Sequence, residues 1–474
     1  MTSSFPAAEH SAEFRKVLGV RDLVLAQLIS IVGLTWVGVA AKMGPSHAVF
    51  WILGVTLFYL PSTAVVVYLN RLHPLEGGLY TWARLGFNDF VGFITAWMIW
   101  LNCVVLVSEV GIQTVTILGY ALGPRVASFS ESRWVLAAAT LLMIGAIGLV
   151  ARVGLDIGKW VTNAGGIVML VIFAALIALP FRNLALGRLR EYHPLALTMP
   201  TVSLLSLNLL GKIGFGALSG CEYVAIFAGE CRDAARSIGR AVLIAAPMIA
   251  LMFILGTSAV RAFVPENRVD LVSPISQTLE AGTRAGDPGA GFIPFAILGV
   301  LASALAQQNF NFAAASRLPL VAGWDHLLPK WFTRLHPRHR TPSNSILFIG
   351  VVTFGLGILS LVGAGEQEAF QLLQSAAMTF YAFAYLVMFA LPLIGFRNWK
   401  ARPPLWLRGA AVSGFLMTLL SVVLSIFPII DVPNPAAFMA KVGAVIVGCI
   451  VLGAVLFFSC HRRARRLSME NPPE

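Results

Sequence analysis

Gly214-Phe215-Gly216-Ala217-Leu218-Ser219-Gly220-Cys221-Glu222 stands in the middle of an apolar run over residues 202–228. A run of that length crosses a bilayer as a helix. Its centre, however, holds three glycines and a carboxylic acid. Glycine costs about 1 kcal/mol relative to alanine in a helix interior. In lipid, freed backbone groups must find partners, so irregular backbone persists only where it lines a cavity within protein. A second segment, Gly33-Leu34-Thr35-Trp36-Val37-Gly38, interrupts the apolar run at 22–41 in the same way. Both segments read as breaks in a membrane helix. The competing reading is that the glycines let neighbouring helices approach closely. That reading weighs more on 33–38 than on 214–222, where small residues surround an intramembrane acid.

Outward from these segments the whole chain is apolar. Of its 474 residues 58% are hydrophobic and 12% charged, with a mean hydropathy of +0.81. Soluble domains carry about 25% charged residues. Twelve spans are expected, at 22–41, 47–70, 88–121, 134–151, 157–180, 202–228, 239–263, 292–316, 344–363, 369–395, 406–428 and 436–459. A membrane β-barrel would show short alternating segments instead. The polar residues 1–11, followed by an over-long apolar run without a cleavage site, do not read as a signal peptide. Of the 34 Lys and Arg residues, 23 fall on the N-terminal side of the membrane, ten on the other, and Lys212 within it. The positive-inside rule then puts both termini in the cytoplasm, in a cell membrane expected to be a bacterial inner membrane. The net charge of +12 belongs to topology, and no nucleic-acid partner is expected. Cys103, Cys221, Cys231, Cys449 and Cys460 form no CxxC pair and read as small apolar residues.

Spans six and seven are joined by only residues 230–239, whereas the longest cytoplasmic connection is 317–343. That argues against two halves of six. Interrupted helices opening two blocks of five spans are the mark of an inverted-repeat transporter, with its site near the bilayer midplane. Half-helix N-termini suit a carboxylate, and exposed carbonyls suit an ammonium.

Three further segments carry a resemblance. They are Leu75-Glu76-Gly77-Gly78-Leu79-Tyr80-Thr81-Trp82 continued by residues 93–97; Ser219-Gly220-Cys221-Glu222 with Glu230; and Arg317-Leu318-Pro319 with Gly323-Trp324-Asp325 and Leu328-Pro329. In this order on a twelve-span chain they resemble the amino acid–polyamine–organocation superfamily over residues 20–460. The resemblance implies an all-α membrane fold, a 5+5 inverted repeat plus two C-terminal helices. The expected units are a tail at 1–21, repeats at 22–180 and 202–395, helices at 406–459 and a tail at 460–474. It also implies carriage of an amino acid or related amine, coupled to H+ or Na+ or by exchange. The chain departs at two places. The family's Gly-Ser-Gly in span one is Gly33-Leu34-Thr35 here, and β-branched Thr35 restricts the backbone. Proton-coupled members also carry a lysine in span five, near Met169; here Lys159 lies closer to the cytoplasmic end.

The expected substrate contacts are Gly33, Leu34, Thr35, Trp36, Phe215, Gly216, Ser219, Gly220 and Cys221, and the coupling candidates are Glu222, Glu109 and Lys159. An intramembrane carboxylate is a functional hypothesis by default. Glu222 reads either as a proton-exchanging group or as a structural acid held by loosened amides. Asn102, Glu109, Gln113, Thr116 and Tyr120 fall within 40° of one another's mean direction at 100° per residue, one polar stripe on span three. Glu109 reads first as a tether to a neighbouring helix. Lys212 is expected to snorkel outward. Gln307, Gln308, Asn309 and Asn311 either line a path or satisfy neighbouring helices. Tyr381 and Tyr385, four residues apart, read as a packing pair with aromatic gating as the alternative. No metal site, cofactor, P-loop or catalytic triad is expected, His336 and His339 included. The other function classes are a polyamine or amine antiporter, a channel, and a transport-inactive sensor on the same scaffold.

Overall fold

The computed structural model describes residues 19–72, 78–222, 234–284, 286–287, 289–321, 330–336, 339, 341–394 and 403–470. Glu76, Gly77, Glu230, Cys231, Gly323 to Asp325 and Leu328-Pro329 lie outside the described residues. Among the described residues the secondary structure is helical, with no strand. The first apolar run folds as two pieces, α1 (Val20–Ile31) and α2 (Trp36–Ala41). They are followed by α3 (Gly44–Leu72), α4 (Leu79–Gly86), α5 (Asp89–Leu122), α6 (Arg133–Val153) and α7 (Leu155–Ala185). Then come α8 (Leu204–Gly211), α9 (Ala234–Phe263), α10 (Pro274–Ala281), α11 (Ile293–Val321) and α12 (Ser343–Ser360). The last are α13 (Glu366–Ile394), α14 (Leu405–Leu424) and α15 (Pro435–Glu470).

Ten of these helices are long and apolar enough to cross a membrane. The expected spans missing from the ten are the first and the sixth, the two read as interrupted. Span one stops at Ile31, and Val32 to Thr35 are non-helical. Span six ends α8 in a wide π-turn, Lys212–Ala217, then unwinds from Leu218 to Gly220; residues 223–233 lie outside the described residues. Gly220 has φ +116°, a backbone conformation open to glycine and strained for other residues.

The glycines divide between the two readings given for them. Gly38 sits inside α2, where an added Cβ would meet Pro274 Cβ at 2.7 Å. A Cβ on Gly54 would lie 3.2 Å from Gly214 Cα, so α3 and span six cross at a glycine pair. These are close-packing positions. The break positions proper are Gly33 and the stretch ending in Gly220.

Local signals set the helix ends. Asn88 Oδ1 accepts from Val91 N at 3.0 Å to open α5. Ser203 and Ser206 bond reciprocally at the start of α8. Gly123 and Gly154, at φ +90° and +105°, end α5 and α6. The expected boundaries hold to a few residues, with three differences. Arg317 is not a loop residue but a buried side chain inside α11. Helix α7 runs on past residue 180, through Pro180, to Ala185, and α15 continues beyond the apolar stretch to Glu470.

Helix α5 packs against both α11 and α13; α11 packs on α7, α1 on α7 and α9, α13 on α14, and α14 on α3. Leu142, Trp134, Leu347 and Leu405 are exposed on the periphery. Large apolar side chains facing outward suit lipid, where water no longer drives them inward. Beyond the apolar stretches, Arg188 bonds both oxygens of Asp287 at 2.5 Å, and Arg182 of the last turn of α7 approaches at 3.5 Å.

Candidate functional site

The two irregular segments face one another across a central cavity. Gly33, Leu34, Thr35 and Trp36 line it from span one, and Gly216 and Ser219 from span six. Helix α5 contributes Asn102, Leu106, Glu109, Gln113 and Ile117; α11 contributes Gln307, Gln308 and Asn311; α13 contributes Gln374, Met378 and Tyr381. Val272 and Ser273, just before α10, and Ile275 in its first turn complete the lining.

Polar side chains from neighbouring helices answer the freed backbone. Gln307 Nε2 donates to Ile29 O at 2.7 Å, in the last turn of α1. Gln27 Nε2 donates to Cys221 O at 3.4 Å, joining span one to span six. The N–H groups of Leu34 and Thr35 have no acceptor among the described residues. They remain available beside the cavity, because a buried amide seeks a partner.

Among the described residues Glu109 is the one acidic or basic side chain in this lining. It is 2% exposed and interrupts α5, with φ −83° and ψ −4°. Gln374 Nε2 reaches both its oxygens at 3.0 Å, and Gln113 Nε2 donates to Oε1 at 2.8 Å. Gln308 Nε2 stands at 3.5 Å. The tether expected of Glu109 exists, to both α11 and α13, and the same carboxylate also faces the cavity. Further along the stripe, Thr116 donates to Glu366, and Tyr120 donates to Asp270 at 2.9 Å. The whole stripe thus meets protein.

Three of the expected contacts, Phe215, Gly220 and Cys221, lie outside this lining, as does the coupling candidate Glu222. Phe215 is fully buried behind the cavity wall, among Phe58, Tyr381 and Tyr385, with centroids 5.3–6.0 Å away. A π-turn spaces residues differently from an α-helix, so Gly216 and Ser219 face the cavity while Phe215 turns away. Gly220 N–H donates to the Tyr385 hydroxyl at 2.9 Å, and Cys221 Sγ contacts Ser62 and Tyr385. Glu222 is 2% exposed and accepts from the hydroxyls of both Tyr381 and Tyr385. Tyr381 and Tyr385 are therefore more than a packing pair: Tyr381 touches the cavity on one side and Glu222 on the other. Their i, i+4 spacing was the available signal; their partner, across 159 residues of sequence, was not visible.

Lys159 does not reach the cavity either. It pairs with Asp22 at 3.1 Å, and Asn163 Nδ2 donates to the same carboxylate at 2.8 Å. Asn309, expected with the glutamines of α11, lines this second, smaller hollow between α1, α7 and α11. Lys212 corrects the expectation of snorkelling. It is 4% exposed, and its Nζ donates to Ser375 Oγ at 3.2 Å. The π-turn aims it at α13 rather than outward.

The family model for amino acid permeases matches residues 18–459. An uncharacterised transporter of Legionella pneumophila is 24% identical over 464 residues, covering 94% of this chain and 95% of the relative. A protein named as a probable agmatine/putrescine antiporter of Lactococcus lactis is 20% identical, covering 77% and 78%. The low-affinity putrescine importer of Escherichia coli is 25% identical, covering 60% and 61%. A match across nearly the whole chain, on a helical structure with ten apolar helices of membrane-spanning length, decides the matter: this chain belongs to the amino acid permease family, multi-pass membrane proteins that act as secondary transporters of amino acids or related amines.

Proposed function

We propose that the central cavity is the substrate site and that transport proceeds by alternating access between two inverted repeats of five helices, residues 22–180 and 202–395. In this reading α1 with α2, and α8 with its unwound continuation, are spans one and six of twelve, and 406–459 holds the last two. Both termini face the cytoplasm of a bacterial inner membrane. The observation that carries the proposal is the cavity itself, walled by both interrupted helices. Backbone at Gly33 to Thr35 takes the substrate's carboxylate or polar head, and the side chains of α5, α11 and α13 read the remainder. Glu222, behind Tyr381, is the coupling group for H+, while Lys159 ties α1 to α7.

A second reading, a polyamine or related amine as cargo, is favoured by one observation. Among the described residues the cavity lining holds a single acidic or basic side chain, and it is a carboxyl group, at Glu109. Two relatives are named for putrescine. Counterflow in proteoliposomes preloaded in turn with neutral amino acids, cationic amino acids and diamines separates the readings. Exchange of one class supports a carrier of that class. Flux that persists without a trans substrate and does not saturate points to a channel, and no flux of any class points to a sensor.

A further inference from the structure

We infer that the outer face between α6 and α12 is a binding groove for one anionic phospholipid. The two helices pack against each other but leave about 400 Å3 open between them, floored by Phe312 of α11. The opening exists because Gly145 and Gly148 on α6 face Gly350 on α12. A Cβ at Gly145 would meet nothing within 4 Å, and one at Gly148 only Ile346 at 4.0 Å. The rim side chains Leu149 and Leu347 are 65% and 70% exposed, so the groove opens toward the membrane.

Its length and its polarity both point to a lipid. From Leu141 to Arg152 the α6 side extends eleven residues, about 16 Å at 1.5 Å per residue. That is half of the roughly 30 Å hydrocarbon core, the depth of a single leaflet. One end is apolar, and the other carries Arg152, Ser343 and Asn344. Arg152 has no carboxylate partner among the described residues. The Ser343 hydroxyl oxygen is buried without a hydrogen-bond partner. Ser343 opens α12, an eighteen-residue helix whose N-terminus favours negative charge and has no side-chain cap. Trp331, 54% exposed, lies at the same end and accepts from Asn344 Nδ2 at 2.6 Å through its carbonyl. Tryptophan collects at the headgroup level of a bilayer. An acyl chain along the glycines and a phosphate at Arg152 and Ser343 satisfy every part of this arrangement.

The test is native mass spectrometry of the delipidated full chain with phosphatidylglycerol, phosphatidylcholine or inorganic phosphate added. Phosphatidylglycerol should bind as one retained adduct about fivefold more tightly than phosphatidylcholine, the scale of one cationic side chain at an anionic lipid. Phosphate alone should not be retained. Arg152→Gln should remove the preference and keep diacyl binding. Gly148→Leu with Gly350→Leu should remove both lipids; if that pair fails to fold, Gly145→Leu, which has open space, replaces it. Equal binding of the two lipids by the native chain, a preference surviving Arg152→Gln, or retention after the groove is filled would each overturn the proposal.

Discussion

Glu109 and Glu222 are both 2% exposed, yet their surroundings differ in kind. Glu109 is held by amide donors from Gln113, Gln308 and Gln374, and faces the central cavity. Glu222 is held by the phenols of Tyr381 and Tyr385, outside the cavity lining. An amide N–H donates but does not give up its proton, whereas a phenol both donates and accepts. Amides therefore fix a carboxylate in place without offering a proton path. Two phenols, one of them in the cavity wall, offer such a path. Under the proposed function, the comparison gives substrate recognition to the first acid and proton coupling to the second.

The largest effect is expected at Glu109. Glu109→Gln keeps the size of the side chain and removes its charge, and a hydrogen bond to a charged group contributes about 1.5–3 kcal/mol. Counterflow of the best substrate should fall roughly tenfold to a hundredfold, with the pH profile of the residual flux retained. Full activity in this variant would remove Glu109 from recognition.

At Glu222 the expectation is a change of shape more than of size. Glu222→Gln should flatten the pH dependence of net uptake while exchange survives, and Tyr381→Phe should do the same more weakly, by breaking the link to the cavity. Uptake measured from pH 5 to pH 8, in both variants and in Glu109→Gln, checks the division of roles. If Glu109→Gln flattens the profile and Glu222→Gln does not, the assignments are reversed.

Lys159 is the control for both acids. Its pair with Asp22 is partly exposed, 22% and 16% for the two side chains. Pairs of that kind contribute about 0–1 kcal/mol. Lys159→Ala should cost no more than about fivefold in uptake and leave the pH profile unchanged. A lost pH response would move coupling from Glu222 to this pair.

The smallest effect concerns stability outside the membrane. Arg188's hydrogen bonds hold the Asp287 carboxyl well below the usual carboxylate range. A depressed folded value means stability present above the unfolded value, about pH 4, and lost as pH falls toward the folded one. Asp287→Asn should lower the thermal midpoint slightly at pH 7 and make it less sensitive to acid between about pH 5 and pH 3. An acid response identical to that of the native chain would show that the clamp contributes nothing.

Much of the architecture was legible in residue order. The apolar runs located ten spanning helices, and glycine clustering at Gly33 and at Gly214 to Gly220 marked the two that are irregular. The polar stripe on α5 was readable because helical periodicity projects sequence onto faces. Gly33 to Trp36, Gly216 and Ser219 were legible from the glycine clustering as residues of the breaks, and they line the cavity; Glu109, read first as a tether, lines it as well. Phe215 was named as a contact for its place in the break, and order along the chain does not say which side of a π-turn a residue faces. Lys212 was misplaced by the same turn, which carries its side chain to Ser375.

The sequence by itself determined that this chain lives in a membrane, roughly where it crosses, and which crossings break. Those properties follow from local hydropathy and backbone preference, which act over a turn or a span. Only the tertiary structure decided that Glu109 meets glutamines of α11 and α13, that Tyr381 stands between the cavity and Glu222, and that the α11 glutamine Gln307 satisfies a carbonyl of α1. Such pairings join residues 159 to 278 positions apart. They arise because a low-dielectric interior forces every polar group to find a partner wherever the packing of helices supplies one.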